Sequence, residues 1–375
     1  MKKIISMILV GGKGTRLGDM TKYKAKPAIS FGGKYRLIDF TLSNLSHSNI
    51  DVCGIVTQYE PMELMNYIGN GASWDLDYTD GGIQFLTPYL KKEDIEWQKG
   101  TGHAVKQFFD FIENYQSDYV LILPGDHIYK MNYNAMIKAM EEEDSDITIA
   151  TTRVEQDDVS RFGVVEINKD HYITKFLEKP SHPLTDLVSM GIYIFKKDVL
   201  KELLFSDTEL LDFGSDIIPE AIRQNKKILS YEFEGYWRDV GTIESLYEAH
   251  MDMLNDSRFL GLNSSKNLPI FSRSLNLLPH IVLYSGLVQD SIVADGCRIN
   301  GHVEHSSVAY KVEISEKAHI KACVVFSNVK IGEYAYVEKA IINEGVEIPK
   351  NYYSKNEKCI LITKDNLYEV GEIRE

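Results

Sequence analysis

Ile4-Ile5-Ser6-Met7-Ile8-Leu9-Val10-Gly11-Gly12-Lys13-Gly14-Thr15-Arg16-Leu17 begins with seven mostly large apolar residues and runs directly into a turn holding three glycines. An apolar run of that length, bounded by turn residues, predicts a strand buried on both faces. It is too short to span a bilayer, which takes about 20 apolar residues, and no small-residue cleavage site follows it, so it does not read as a signal peptide. The glycines let backbone amides approach a polyphosphate closely. The spacing is not that of G-x-x-x-x-G-K-[ST], and Leu17 stands where the third glycine of G-x-G-x-x-G belongs. Taken alone, the loop fits a purely structural turn equally well.

Outward from this stretch, similar apolar runs recur at 52–57, 119–123 and 147–151, with helical patterns at 104–114 and 134–142 between them. Alternation of this kind predicts an α/β fold, Rossmann-like, with a mostly parallel sheet. Ligands in such folds bind at the carboxyl ends of the strands. The loops at 11–17 and 125–127 both follow strands directly and are expected to face one crevice.

The rhythm changes near residue 250. Residues 255–280 read as a linker, rich in Asn, Ser and Leu, with Pro269 and Pro279. Beyond it, apolar residues recur every 17 positions: Val303, Ile320 and Val337; Cys297, Ile314, Ile331 and Ile348; Val308, Val325 and Ile342; Val312, Val329 and Val346. Each turn then supplies three short strands of about six residues around a triangular core, which predicts a left-handed parallel β-helix. The expected domains are a catalytic domain at 1–254, the linker at 255–280 and the β-helix at 281–375. His302, His305 and His319 raise the alternative of an acyltransferase with a histidine base, but in this reading they sit at exposed turns.

The chain has 375 residues, a net charge of −14 and an apolar fraction of 44%, which fits a globular protein and argues against nucleic acid or an anionic membrane as the main partner. It has four cysteines, Cys53, Cys297, Cys323 and Cys359, with no C-x-x-C pair. Reduced thiols in a cytoplasm are expected.

Further motifs follow the glycine loop: Lys26-Pro27-Ala28, Phe31-Gly32-Gly33-Lys34-Tyr35-Arg36-Leu37-Ile38-Asp39-Phe40, Thr57-Gln58-Tyr59 and Gly125-Asp126-His127-Ile128-Tyr129-Lys130-Met131. Arg161-Phe162-Gly163, Glu178-Lys179-Pro180, Ser189-Met190-Gly191-Ile192-Tyr193, Asp212-Phe213-Gly214 and Tyr236-Trp237-Arg238-Asp239-Val240-Gly241-Thr242 complete the series. This ordered set, spread over essentially the whole chain, resembles the bacterial glucose-1-phosphate adenylyltransferases (ADP-glucose pyrophosphorylases).

The resemblance implies transfer of an adenylyl group from ATP to glucose 1-phosphate with Mg2+, supplying a glucosyl donor for glycogen. Such a reaction brings two anions together, so positioning and electrostatics dominate it. Magnesium favours one or two carboxylates plus substrate phosphates, and Asp126 and Asp239 are the expected metal ligands. Arg16 and Lys26 are expected on the triphosphate side, with Gly11, Gly12, Gly14, Thr15, Gln58, Gly100 and Thr101 binding the nucleotide. Gln98, Gly163, Glu178, Lys179, Ser189, Tyr193, Asp212 and Trp237 are expected around glucose 1-phosphate. Gln98 replaces an aromatic residue usual in the family. Tyr23 stands where relatives activated by fructose 1,6-bisphosphate carry a lysine, which implies weak activation here. The resemblance also implies a homotetramer, or a heterotetramer with a paralogous regulatory subunit. The intact loop and Asp126 favour the catalytic type of subunit. A pyrophosphorylase for another base or sugar remains open at this point, as does a regulatory subunit.

Overall fold

A computed structural model of the chain describes residues 3–11, 15–22, 24–58, 61–88, 98–255 and 268–374. Gly12, Gly14, Tyr23, Tyr59, Trp97 and linker residues 256–267 lie outside the described residues, as does the side chain of Thr15. Two compact units emerge. One comprises Met1–Gly12, Thr41–Gly125 and Lys130–Trp237; the other comprises Lys13–Phe40, Asp126–Tyr129 and Arg238–Glu375.

The first unit is built on a nine-stranded sheet. Strands Gly82–Leu86, Val52–Thr57, Ile4–Val10 and Tyr119–Pro124 lie side by side in parallel. Met7 and Ile8 are both fully buried although they point to opposite faces, as expected of a strand covered on both sides. Leu187–Lys196 runs antiparallel to Tyr119–Pro124. Ile147–Arg153 pairs antiparallel with it along nearly its whole length, from Leu187 to Phe195, and the hairpin Gly163–Ile167/Ile173–Glu178 meets it at Val188. Because three strands end together, Gly11, Gln58 and Gly125 share one edge of the sheet, and the Gly125 amide donates to the Leu9 carbonyl.

The helix expected over 104–114 is instead two helices, Thr101–Gln107 and Phe109–Asn114, broken at Phe108 (φ −107°, ψ 23°). Phe108, Phe109, Phe111 and Ile112 are all buried. Among the described residues, no helix is long and apolar enough to cross a membrane.

The second unit contains the left-handed β-helix. One face stacks Ile281–Val282, Arg298–Ile299, Glu313–Ile314, Lys330–Ile331 and Glu347–Ile348, all parallel. The second stacks Leu287–Gln289, His302–Glu304, His319–Lys321 and Tyr336–Ile342. The third stacks Ile292–Val293, Ser307–Val308 and Val324–Val325, and shares Tyr336–Ile342. Three of the four 17-residue columns appear as read, but the first rung is shorter. Ile314 pairs with Ile299 rather than Cys297, and Val308 with Val293, 15 residues earlier in each case. Cys297 instead heads the Val312 column, since the Arg298 amide donates to the Val312 carbonyl. The sequence column failed there because Cys297 and Ile299 are both apolar and both buried.

The corners repeat with the sides. His305, Ala322 and Lys339 form one left-handed column and Lys317, Tyr334 and Asn351 another, each with positive φ. His305 is at a turn, as read. His302 and His319 are not: each begins a strand and is half-buried. Val303 and Ile320 point inward, so their neighbours must point outward.

Within this unit, helix Ile243–Asn255 and the hairpin Ser30–Phe31/Tyr35–Arg36 pack on the β-helix. The Tyr247 hydroxyl donates to the Ala322 carbonyl at 2.9 Å, and the Tyr310 hydroxyl to the Lys34 carbonyl at 3.3 Å. A side chain at Gly33 would begin 3.1 Å from Ile292, and φ there is +81°, so glycine meets two constraints at once.

Candidate active site

In the second unit, strand Trp237–Asp239 pairs with His127–Tyr129. That pairing sets Asp126, one residue ahead of its strand, beside Asp239. Lys26, in the short helical turn Lys26–Ala28, reaches both: Nζ lies 2.5 Å from Asp126 Oδ2 and 3.0 Å from Asp239 Oδ1. Burial alone would lower the pKa of the Lys26 ammonium, but the two carboxylates outweigh it and the net shift is upward. The lysine is therefore a fixed cation between two anions.

Arg16 joins this group. Its Nη2 and Asp239 Oδ2 each lie 3.3 Å from where a side chain at Gly241 would begin. Glycine at 241 thus keeps the space between arginine and carboxylate open. His127, part of a quoted motif but given no role in the sequence reading, completes the cluster, with Nε2 3.8 Å from Asp126 Oδ1 and 3.7 Å from Asp239 Oδ1. Its adjacency to Asp126 was the available signal. The carboxylates of Asp126 and Asp239 are hard oxygen donors that fit a divalent cation of the magnesium type.

In the first unit, two further groups form. Gln58, just past the end of its strand, donates from Nε2 to the Gln98 carbonyl at 3.4 Å. Gln98 Oε1 lies 3.9 Å from where a side chain at Gly11 would begin. Gln98 Nε2 and the neighbouring Thr57 hydroxyl are buried with no hydrogen-bond partner among the described residues. Unsatisfied buried donors are uncommon, and a ligand is one way to satisfy them.

The other group centres on Glu178, the last residue of Ile173–Glu178. Its Oε2 lies 3.0 Å from where a side chain at Gly163 would begin and 2.4 Å from the equivalent point at Gly214. Lys179 has φ +46°, uncommon for a side-chain-bearing residue. Its amide donates to the Phe162 carbonyl, and its Nζ lies 2.8 Å from Glu178 Oε1. Strain held just before Pro180 fixes where this exposed ammonium points.

Ser189 and Tyr193 flank an irregularity in their strand, where Gly191 has φ +71° and its amide donates to the Ser189 hydroxyl. Tyr193 stacks on Phe213 at 5.5 Å. Burial, opposed by a hydrogen bond with Ser189 and reinforced by Glu178 and Asp212, pushes its phenol well above the usual range. It therefore acts as a neutral hydroxyl. Asp212 caps the turn Phe213–Ile217 by accepting from the Gly214 amide, and it accepts from the Thr101 hydroxyl at 2.9 Å. Thr101 in turn accepts from the Phe213 amide. Thr101 thus stands with Asp212 and not with Gln58. Gly100 approaches Leu211, whose carbonyl a side chain there would meet at 2.4 Å. Trp237 lies 5.0 Å from Phe162, on the small cluster of Val159, Val164 and Val188.

The nucleotidyl transferase family model matches residues 5–256, and the GlmU-like C-terminal hexapeptide model matches residues 283–353. A glucose-1-phosphate adenylyltransferase from Bacillus cereus is 45% identical over 328 residues, covering 86% of this chain and 87% of its own. Proteins with that same description from Bacillus mycoides and Bacillus thuringiensis are 44% and 45% identical over equal shares.

Proposed function

This chain belongs to the glucose-1-phosphate adenylyltransferase family of nucleotidyl transferases, and we propose that it makes ADP-glucose from ATP and α-D-glucose 1-phosphate through the residue groups described above. An oxygen of the sugar phosphate attacks the α-phosphorus of ATP, the bond to the β-phosphate breaks, and diphosphate leaves with the charge. The observation that carries the reading is the Lys26 ammonium held between Asp126 and Asp239, with Arg16 alongside.

Nucleotidyl transferases of this kind generally work with a divalent metal. Asp126 and Asp239 would hold Mg2+, which when bound supplies positive charge to the triphosphate. Arg16 stabilises charge building on the departing diphosphate, and Lys26 keeps the two carboxylates together despite their mutual repulsion. The loop at Gly11 with Gln58 receives the nucleotide, and Gln98, expected beside the sugar phosphate, joins it through its contact with Gln58; the Gln98 amide and Thr57 hydroxyl, without a partner among the described residues, offer donors there. Glu178 takes sugar hydroxyls and Lys179 the sugar phosphate. Asp212 and Thr101 shape that pocket by bracing the Gly214 turn, and Trp237 with Gly163 backs it. Ser189 and the neutral Tyr193 hydroxyl supply its uncharged polar contacts. The buried cysteines, unpaired in this structure, suit a reducing cytoplasm. Exposed Ile281, Tyr284 and Leu287 at the open end of the β-helix support a tetramer through that end.

Diphosphate release by the purified chain with Mg2+, glucose 1-phosphate and each of ATP, UTP, dTTP and GTP tests the reaction. Turnover is expected to favour ATP by at least about tenfold, and a preference for another nucleotide overturns the product assigned. Gly214→Ala tests the sugar group. The added methyl displaces only the end of the Glu178 side chain, so stability should change little. The KM for glucose 1-phosphate should rise about tenfold, as for one lost hydrogen bond to a charged group. An unchanged KM would remove Glu178 from sugar binding.

A further inference from the structure

Successive rungs of the β-helix place His302, His319, Tyr336 and Tyr353 in one outward column. Glu304, Lys321, Glu338 and Lys355 form the adjacent column. In the second column opposite charges face one another: Lys321 Nζ lies 2.9 Å from Glu304 Oε1 and Lys355 Nζ 3.7 Å from Glu338 Oε2. The first column stacks rings, with the His302 and His319 centroids 4.3 Å apart and 10° from parallel.

This arrangement leaves two polar features unexplained by packing. His302 Nε2 is buried and has no hydrogen-bond partner among the described residues. His319 Nε2 lies 3.2 Å from Glu304 Oε2, the carboxylate oxygen that Lys321 does not use. One ligand atom from each of His302, Glu304 and His319 falls within 4.8 Å of the others. Two imidazoles and a carboxylate are a donor set suited to zinc and its first-row neighbours, not to magnesium.

We propose that His302, His319 and Glu304 form a binding site for a single divalent cation of the zinc class on the outward face of the β-helix. The ion would tie together two successive rungs through side chains, separately from Asp126 and Asp239. Binding displaces the proton between His319 Nε2 and Glu304 Oε2 to solvent, satisfies His302 Nε2 and leaves the Lys321 contact with Glu304 Oε1 intact. The parallel rings must hinge so that their in-plane lone pairs converge, because tetrahedral ligands at about 2.0–2.1 Å from zinc lie about 3.3 Å apart.

The test uses the full chain, stripped with a chelator and titrated with Zn2+ in excess Mg2+, with Co2+ as a spectroscopic substitute. One zinc per chain is expected, with visible Co2+ bands of a four-coordinate site and a rise in melting temperature on binding. His302→Gln and His319→Gln should each weaken zinc binding at least about tenfold and abolish the thermal shift, while Asp126→Asn should leave both unchanged. Glu304→Gln carries the same test if either histidine variant does not fold. Zinc affinity within about twofold of the parent in these variants, loss of binding only in Asp126→Asn, or no zinc uptake would each overturn the proposal.

Discussion

Asp126→Asn is expected to lower kcat for ADP-glucose formation by about 10²–10³-fold, with a much smaller change in either KM. Asparagine keeps the shape and one acceptor oxygen, so the Lys26 ammonium can still donate to an uncharged amide oxygen at this position. What is lost is negative charge, and with it the affinity for a hard divalent cation. Asp239→Asn should behave alike, because Asp239 shares Lys26 and His127 with Asp126. The double variant should be little worse than either single one, since residues that act as a unit are not additive. Melting temperature should fall only a few degrees. Steady-state kinetics over a range of Mg2+ concentrations checks this. A loss of less than about tenfold in kcat would make Asp126 a structural partner of Lys26 only. Full recovery at high Mg2+ would place its role in metal affinity alone.

The cluster of Lys26, Asp126 and Asp239, proposed as catalytic, was only partly legible in the sequence. Asp126 was legible because it ends a strand run, and strand ends carry ligands in α/β folds. Asp239 and Lys26 were legible only through a set of motifs, since nothing local says that residues 26, 126 and 239 meet. The meeting depends on pairing between His127–Tyr129 and Trp237–Asp239, two three-residue strands too short to show any period. The spatial roles of Gly163 and Gly214 were equally hidden: Gly214 makes room for the carboxylate of Glu178, and Gly163 for the Phe176 ring first and then for that carboxylate, contacts set by tertiary packing.

The β-helix lies at the opposite extreme. Its inward columns were readable because each rung repeats one burial pattern, so period alone fixes the register. The first rung departed because a 15-residue turn offers two apolar candidates, Cys297 and Ile299, for one position. Period also says which residues point outward, but the histidine pair was assigned to turns because the corner column of His305 was not separated from the strand column of His302. The break at Phe108 was missed because the buried residues Phe108, Phe109, Phe111 and Ile112 keep a helical spacing across it.

Stability between pH 7.5 and pH 5 is expected to report on His250. This side chain of helix Ile243–Asn255 is fully buried, 4.6 Å from the Phe31 ring and 6.4 Å from that of Phe326. Burial pushes its imidazole down to about 3 from an ordinary 6.5, with the Ser30 backbone opposing only weakly. The unfolded chain therefore takes up a proton as pH falls through 6.5, while the folded chain does not until about 3. Stability contributed by keeping the ring neutral is complete above pH 6.5 and declines as pH falls across that window, by about 1.4 kcal/mol per unit at most. At pH 5 the loss is about 2 kcal/mol on the same scale. The chain has ten histidines, and His319 is also held low, so the raw profile does not isolate one group. His250→Leu does: leucine is close in size, suits an aromatic pocket and cannot titrate. Denaturant unfolding of both proteins at pH 7.5 and pH 5 should show the parent losing about 2 kcal/mol more than the variant. Parallel losses would mean that water or a rearranged Ser30 carbonyl already meets the proton in the folded state, and that the contact between helix and β-helix is not sealed at His250.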